Sequence, residues 1–113
     1  MKSPRLSVAC IFLWMFFVKP GHAQTVEIDI IKSKFVPPVV RIKQGDTVRF
    51  VNKENLLHTV TSGKAPVQND RFHSGFLILD MKFETTLQKP GVIDYFCLIH
   101  SHTMRGTLIV EKK

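Results

Sequence analysis

The stretch Tyr95-Phe96-Cys97-Leu98-Ile99-His100-Ser101-His102-Thr103-Met104-Arg105-Gly106, running on into Thr107-Leu108-Ile109-Val110, decides the reading of the chain. Apolar and aromatic residues lead in, and β-formers lead out. Between them Cys97, His100, His102 and Met104 place a thiol, two imidazoles and a thioether within eight positions. The pattern predicts two strands joined by a loop crowded with soft donor atoms.

Working outward, the rest of the chain supplies more short strands. Val26, Ile28 and Ile30 alternate with Glu27 and Asp29, the period-two pattern of a strand with one buried face. Val40-Arg41-Ile42-Lys43 alternates in the same way, and so does Thr47-Val48-Arg49-Phe50-Val51 after the Gln44-Gly45-Asp46 turn. Pro37 and Pro38 exclude a central ladder position and suit an edge or a crossing between strands. Leu56-Leu57-His58-Thr59-Val60-Thr61 is rich in β-formers, which puts His58 on or beside a strand. Residues 62–74 contain Gly63, Pro66, Asn69 and Asp70 and read as a long loop, with room for a short helical turn. Phe76 to Leu79 is an apolar run, Met81 to Thr85 alternates, and Lys89-Pro90-Gly91 is a turn before the strand that enters the donor loop. Helical periodicity and internal repeats are absent. Seven to eight short strands separated by Gly, Pro, Asn and Asp predict an all-β sandwich or small barrel.

The N-terminus has a different character. Lys2 and Arg5 precede an apolar run over residues 6–18, and Pro20-Gly21-His22-Ala23 breaks it. This is the pattern of a secretory signal, and the run is short for a membrane span of about 20 residues. Residues 1–23 are therefore expected to be removed, leaving a domain at 24–113. A buried N-terminal helix and an uncleaved anchor are the alternatives. Removal lowers the formal charge from +7 to +4. The remaining cations are scattered, so nucleic acid is not an expected partner. Cys97 becomes the one cysteine, which excludes an intrachain disulfide.

In an oxidising compartment a lone thiol calls for an explanation, and a metal supplies one by holding it as thiolate. Cysteine, histidine and methionine together favour copper over the hard cations, which take oxygen. His58 is the candidate from a distant strand. His58, Cys97 and His100 with Met104 as a long axial ligand would make a type 1 copper centre. Zinc on His58, Cys97, His100 and His102 is the alternative, although structural zinc sites more often use several cysteines. His73 reads as a loop histidine. Nothing in the set resembles a base placed beside a nucleophile, so an enzyme is not expected.

At these residues the chain resembles the cupredoxins, and is most similar to the amicyanin, pseudoazurin and plastocyanin group. The resemblance rests on Phe35-Val36-Pro37-Pro38, Gly45-Asp46-Thr47-Val48, Asn52, His58-Thr59-Val60, Phe72-His73-Ser74-Gly75, Lys89-Pro90-Gly91, the Tyr95 to His100 run and Met104-Arg105-Gly106. It implies a Greek-key β-sandwich and a periplasmic one-electron carrier. It also implies His58, Cys97, His100 and Met104 as ligands of one copper ion. His100 would be the solvent-near imidazole, with Leu98, Ile99, Pro37 and Pro38 adding apolar surface. The expected partners are redox proteins (a cytochrome, an oxidase or a dehydrogenase), with scattered Lys and Arg suiting an acidic docking face. Nothing requires more than a monomer, and no membrane span is expected after cleavage.

One departure stands out. Amicyanin-like loops usually have two residues between histidine and methionine, and plastocyanin and pseudoazurin four. Here Ser101, His102 and Thr103 make three. His102 is thus either a solvent-facing residue or a rival to Met104 as axial ligand. The second case opens a nitric-oxide-binding role. A copper-delivery protein is a further alternative, but the methionine- and histidine-rich segments that would favour it are missing.

Overall fold

A computed structural model describes residues 22–113. Most of the expected export signal, residues 1–21, lies outside the described residues. The strands in chain order are β1 (Thr25–Ile31), β2 (Lys34–Val36), β3 (Val39–Lys43), β4 (Thr47–Asn52), β5 (Thr61–Lys64), β6 (Val67–His73), β7 (Lys82–Thr86), β8 (Gly91–Phe96) and β9 (Arg105–Glu111). They form two sheets, ordered β2-β1-β4-β7 and β3-β9-β8-β5-β6. This is an all-β, Greek-key sandwich of the cupredoxin kind.

Alternation builds the core. Ile28 and Ile30 of β1, Val48 and Phe50 of β4, Val40 and Ile42 of β3, and Leu108 and Val110 of β9 are all buried. Two residues apart on a strand, each pair falls on one face. Phe35, Phe50 and Tyr95 meet edge to face, with centroids 4.7 Å (Phe35–Tyr95) and 5.2 Å (Phe50–Tyr95) apart. This geometry suits the aromatic quadrupole. Tyr95 lies across Gly106, where a Cβ would come within 2.2 Å of its ring, so glycine is required there. The Tyr95 hydroxyl is buried without a hydrogen-bond partner among the described residues, and burial raises its pKa.

Pro37 and Pro38 fall between β2 and β3, where the chain passes from one sheet to the other. That is the crossing expected of them. At the opposite end Asp46 ties the sheets at a corner. Its carboxylate accepts from Gln24 N at 3.0 Å and Lys43 N at 2.9 Å.

Two expectations are corrected and a third, His58 on or beside a strand, is narrowed to beside. The described residues contain nine strands, one more than the upper expectation. Residues 62–74 are not a loop with a helical turn but mostly strand. There β5 and β6 pair through Lys64 and Val67, leaving Ala65 and Pro66 as a two-residue turn. Gly63 permits this, since a Cβ on it would meet the Val67 carbonyl oxygen at 2.2 Å. Conversely, residues 56–60 form no strand. His58 makes only an isolated antiparallel bridge with Leu77.

Candidate metal centre

The segment carrying His58 is shaped by Asn52, the last residue of β4. The Asn52 side chain is buried and fully used: Nδ2 donates to the carbonyls of Leu56 and Leu77, both at 2.8 Å, and Oδ1 accepts from Glu54 N at 3.0 Å. One side chain thus pairs the Leu56 carbonyl and adds a second bond to that of Leu77. His58 N donates to Leu77 O at 3.2 Å, and Leu77 N returns a bond to His58 O at 2.8 Å. The histidine is thereby fixed between β4 and β5 without being part of either.

The other donors come from the connection between β8 and β9. Met104 N donates to His100 O at 2.9 Å, closing a single α-turn, and Cys97 N donates to Met104 O at 3.1 Å. The three residues between His100 and Met104 are what one such turn requires. The unusual spacing is therefore accommodated as a closed turn.

Three donor atoms converge. Those of His58, Cys97 and His100 lie within 4.8 Å of one another. The Cys97 sulfur is 3.8 Å from His58 Nδ1 and 3.6 Å from His100 Nδ1. Metal–sulfur and metal–nitrogen bonds of about 2.3 and 2.0 Å, meeting at a tetrahedral-to-trigonal angle, span roughly 3.5 to 3.7 Å for a first-row ion. The separations fit one ion shared by all three. The two imidazole centroids are 5.1 Å apart and tilted by 49°, so the rings converge without stacking. Cys97 and His58 are completely buried, His100 is half-buried, and Met104 is completely buried behind the turn. A thiolate, two imidazoles and a neighbouring thioether make up a type 1 copper site.

Two neighbours support the donors. Thr59 N lies 3.4 Å from the Cys97 sulfur, and Thr59 Oγ1 accepts from Leu98 N at 2.9 Å. On the far side of His58, its Nε2 lies 2.5 Å from Glu54 Oε2. Glu54 also accepts from Lys32 N at 2.7 Å and Ser33 N at 2.9 Å. Partial burial pushes the Glu54 carboxyl upward. The bonds from Ser33, His58 and Lys32 outweigh it and hold the group below its ordinary value.

His58, Cys97 and His100 are set apart from the other described histidines. His102 is exposed and outside the donor group. His73, at the end of β6, has Nδ1 2.9 Å from Thr61 Oγ1. Asn52 and Thr59 enter the sequence reading only as parts of the family resemblance, with no role attached, and Glu54 does not enter it. The one local signal was the four-residue spacing from Glu54 to His58. In the apolar run at Phe76 to Leu79 only Leu77 is buried, while Phe76 and Ile78 are exposed beside the His58 bridge.

Residues 22–111 match the family model described as copper binding proteins, plastocyanin/azurin family. The chain belongs to this family: it is a cupredoxin with a type 1 copper site. Its similarity is of the amicyanin kind. Amicyanin of Paracoccus versutus is 39% identical over 89 residues, covering 79% of this chain and 67% of that protein. Amicyanin-alpha of Methylorubrum extorquens is 33% identical over 94 residues, covering 83% and 78%. Among solved structures, an oxidised amicyanin variant superposes with a TM-score of 0.68 at 27% identity, over 85% of this chain and 88% of that one. A purple cupredoxin from Nitrosopumilus maritimus shares the fold, with a TM-score of 0.71 at 23% identity, over 76% of this chain and 99% of that one.

Proposed function

We propose that this chain is a periplasmic one-electron carrier in which His58 Nδ1, Cys97 Sγ and His100 Nδ1 are the strong ligands of one copper ion and Met104 is the weak axial ligand. The observation that carries the reading is the meeting of three soft donors, from two distant segments, at the spacing one ion requires. Bound there, copper supplies a Cu(I)/Cu(II) couple. The chain supplies a buried, preorganised donor set that changes little between the two states. Complete burial of His58, Cys97 and Met104 keeps bulk water away and argues against an exchangeable ion, hence against copper delivery.

His100 is the donor nearest solvent, which makes it the route for the electron. Leu98 and Ile99 beside it are exposed, as are Leu56 and Leu57 next to His58. An apolar face of this kind excludes water from a brief encounter with a redox protein, and the net positive charge favours an acidic partner. Among the described residues no helix is long and apolar enough to cross a membrane. Export through removal of residues 1–23, leaving 24–113, agrees with Gln24 standing at the start of the folded domain, bonded to Asp46.

The test is reconstitution of residues 24–113 with Cu(II). One equivalent should produce an intense visible thiolate-to-copper band that ascorbate bleaches and an oxidant restores. A folded protein with reduced Cys97 and no such band would refute the assignment.

A further inference from the structure

His58 is a buried imidazole with both ring nitrogens committed: Nδ1 faces the Cys97 sulfur and Nε2 faces Glu54. The geometry points to Glu54 as the positioning residue of the copper site, holding His58 in the tautomer that leaves Nδ1 free for the metal and biasing the bound ion toward its oxidised state. The proposal rests on copper being bound through His58 Nδ1.

A carboxylate only accepts hydrogen bonds, so the nitrogen facing it must carry the proton. Nε2 therefore donates, and Nδ1 keeps its lone pair. A carboxylate on the far nitrogen of a ligating imidazole also raises its basicity and fixes its orientation. A more basic imidazole beside a fixed negative charge favours the ion of higher charge.

Glu54 is itself held. The β1–β2 turn places Lys32 and Ser33 in the left-handed region, at φ 54° and 53°. Neither is glycine, so this conformation is one that their side chains disfavour. Successive N–H groups in such a turn converge on one side and form a cradle for an anion. Here the anion is the Glu54 carboxylate: Lys32 N reaches Oε1, and Ser33 N reaches the same Oε2 that faces His58. With the His58 proton, three donors fix the charge behind the ligand. The hairpin turn, over 20 residues upstream of His58, is thereby coupled to the metal.

The experiment compares copper-loaded wild type with Glu54→Gln and Glu54→Ala by spectroelectrochemistry, and follows His58 by NMR in the Cu(I) protein. Both variants should keep the thiolate–copper band, while their midpoint potentials rise. A tenfold shift of the couple toward Cu(I) corresponds to about 59 mV for one electron. In wild type the His58 Nε2 proton should be present and slow to exchange. Unchanged potentials in variants that retain the band, or a His58 Nε2 proton in wild type that exchanges at the rate of an exposed imidazole, would overturn the role of Glu54. Loss of melting temperature with an unmoved potential would reduce it to a structural contact, which also overturns it. Absence of the band in wild type would instead refute the copper site itself.

Discussion

The backbone N–H of Thr59 points at the sulfur of Cys97 from 3.4 Å, across 38 positions of sequence. The same residue uses its hydroxyl to accept from Leu98 N at 2.9 Å, so Thr59 binds both the thiol and the residue after it. Replacement by valine keeps the N–H and the shape but removes the hydroxyl. The part-buried Leu98 N–H then loses its partner, which costs about 1 kcal/mol. Denaturant unfolding of the metal-free protein should show this loss, with the thiolate–copper band retained when copper is added.

Cys97→Ser removes the thiolate from the donor group. The visible charge-transfer band should vanish, whereas the fold, read by far-UV circular dichroism, should persist. A variant retaining the band would place the sulfur ligand elsewhere.

Met104 and His102 are separated by burial, one enclosed and the other exposed. Met104→Leu conserves volume and should cost less than about 1.5 kcal/mol. It should nonetheless raise the midpoint potential, because loss of an axial donor disfavours the oxidised ion. His102→Ala should leave both spectrum and potential unchanged. The opposite pattern in voltammetry would make His102 the axial ligand.

Asp46 gives the fold an acid limit. Burial pushes its carboxyl upward, but the N–H groups of Lys43 and Gln24, helped by the positive charges of Lys113 and Lys43, outweigh this and hold it below 3.8. A carboxyl lowered by folding is protonated first in the unfolded chain. Its contribution is therefore full above about pH 3.8 and declines as pH falls through the lower, folded value. Asp46→Asn should be less stable at neutral pH and show a shallower fall in melting temperature toward low pH.

Tyr95→Phe removes a buried hydroxyl that has no partner among the described residues. The change should be neutral or stabilise by up to about 1 kcal/mol, since an unsatisfied polar group is removed from the core. Gly106→Ala, next to the same ring, should destabilise by about 1–3 kcal/mol through overpacking. Thermal unfolding of the two variants separates these signs.

The strands β1, β3, β4 and β7 were legible from alternation, and β8 and β9 from the apolar and β-branched runs on either side of the donor loop. The β5–β6 hairpin did not alternate, because five consecutive residues of β6, Val67 to Arg71, are exposed and carry no face preference. Residues 56–60 failed in the opposite sense. Their β-formers suggest a strand, but Asn52 supplies by side chain what a neighbouring strand would supply by backbone. In the site, the donors were readable because soft atoms are rare and were crowded together. Their supports were not. Glu54 looks like any surface acid until the β1–β2 turn is folded against it, and Thr59 like any strand residue until Cys97 arrives beside it.

The last strand of the chain, β9, lies in the interior of its sheet, between β3 and β8. The turn that presents His100 and Met104 feeds directly into it. During synthesis or import, therefore, a partial polypeptide has neither the completed second sheet nor a closed donor loop. A chain cut short before β9 should therefore hold copper more weakly than the whole domain, although every candidate ligand precedes that strand.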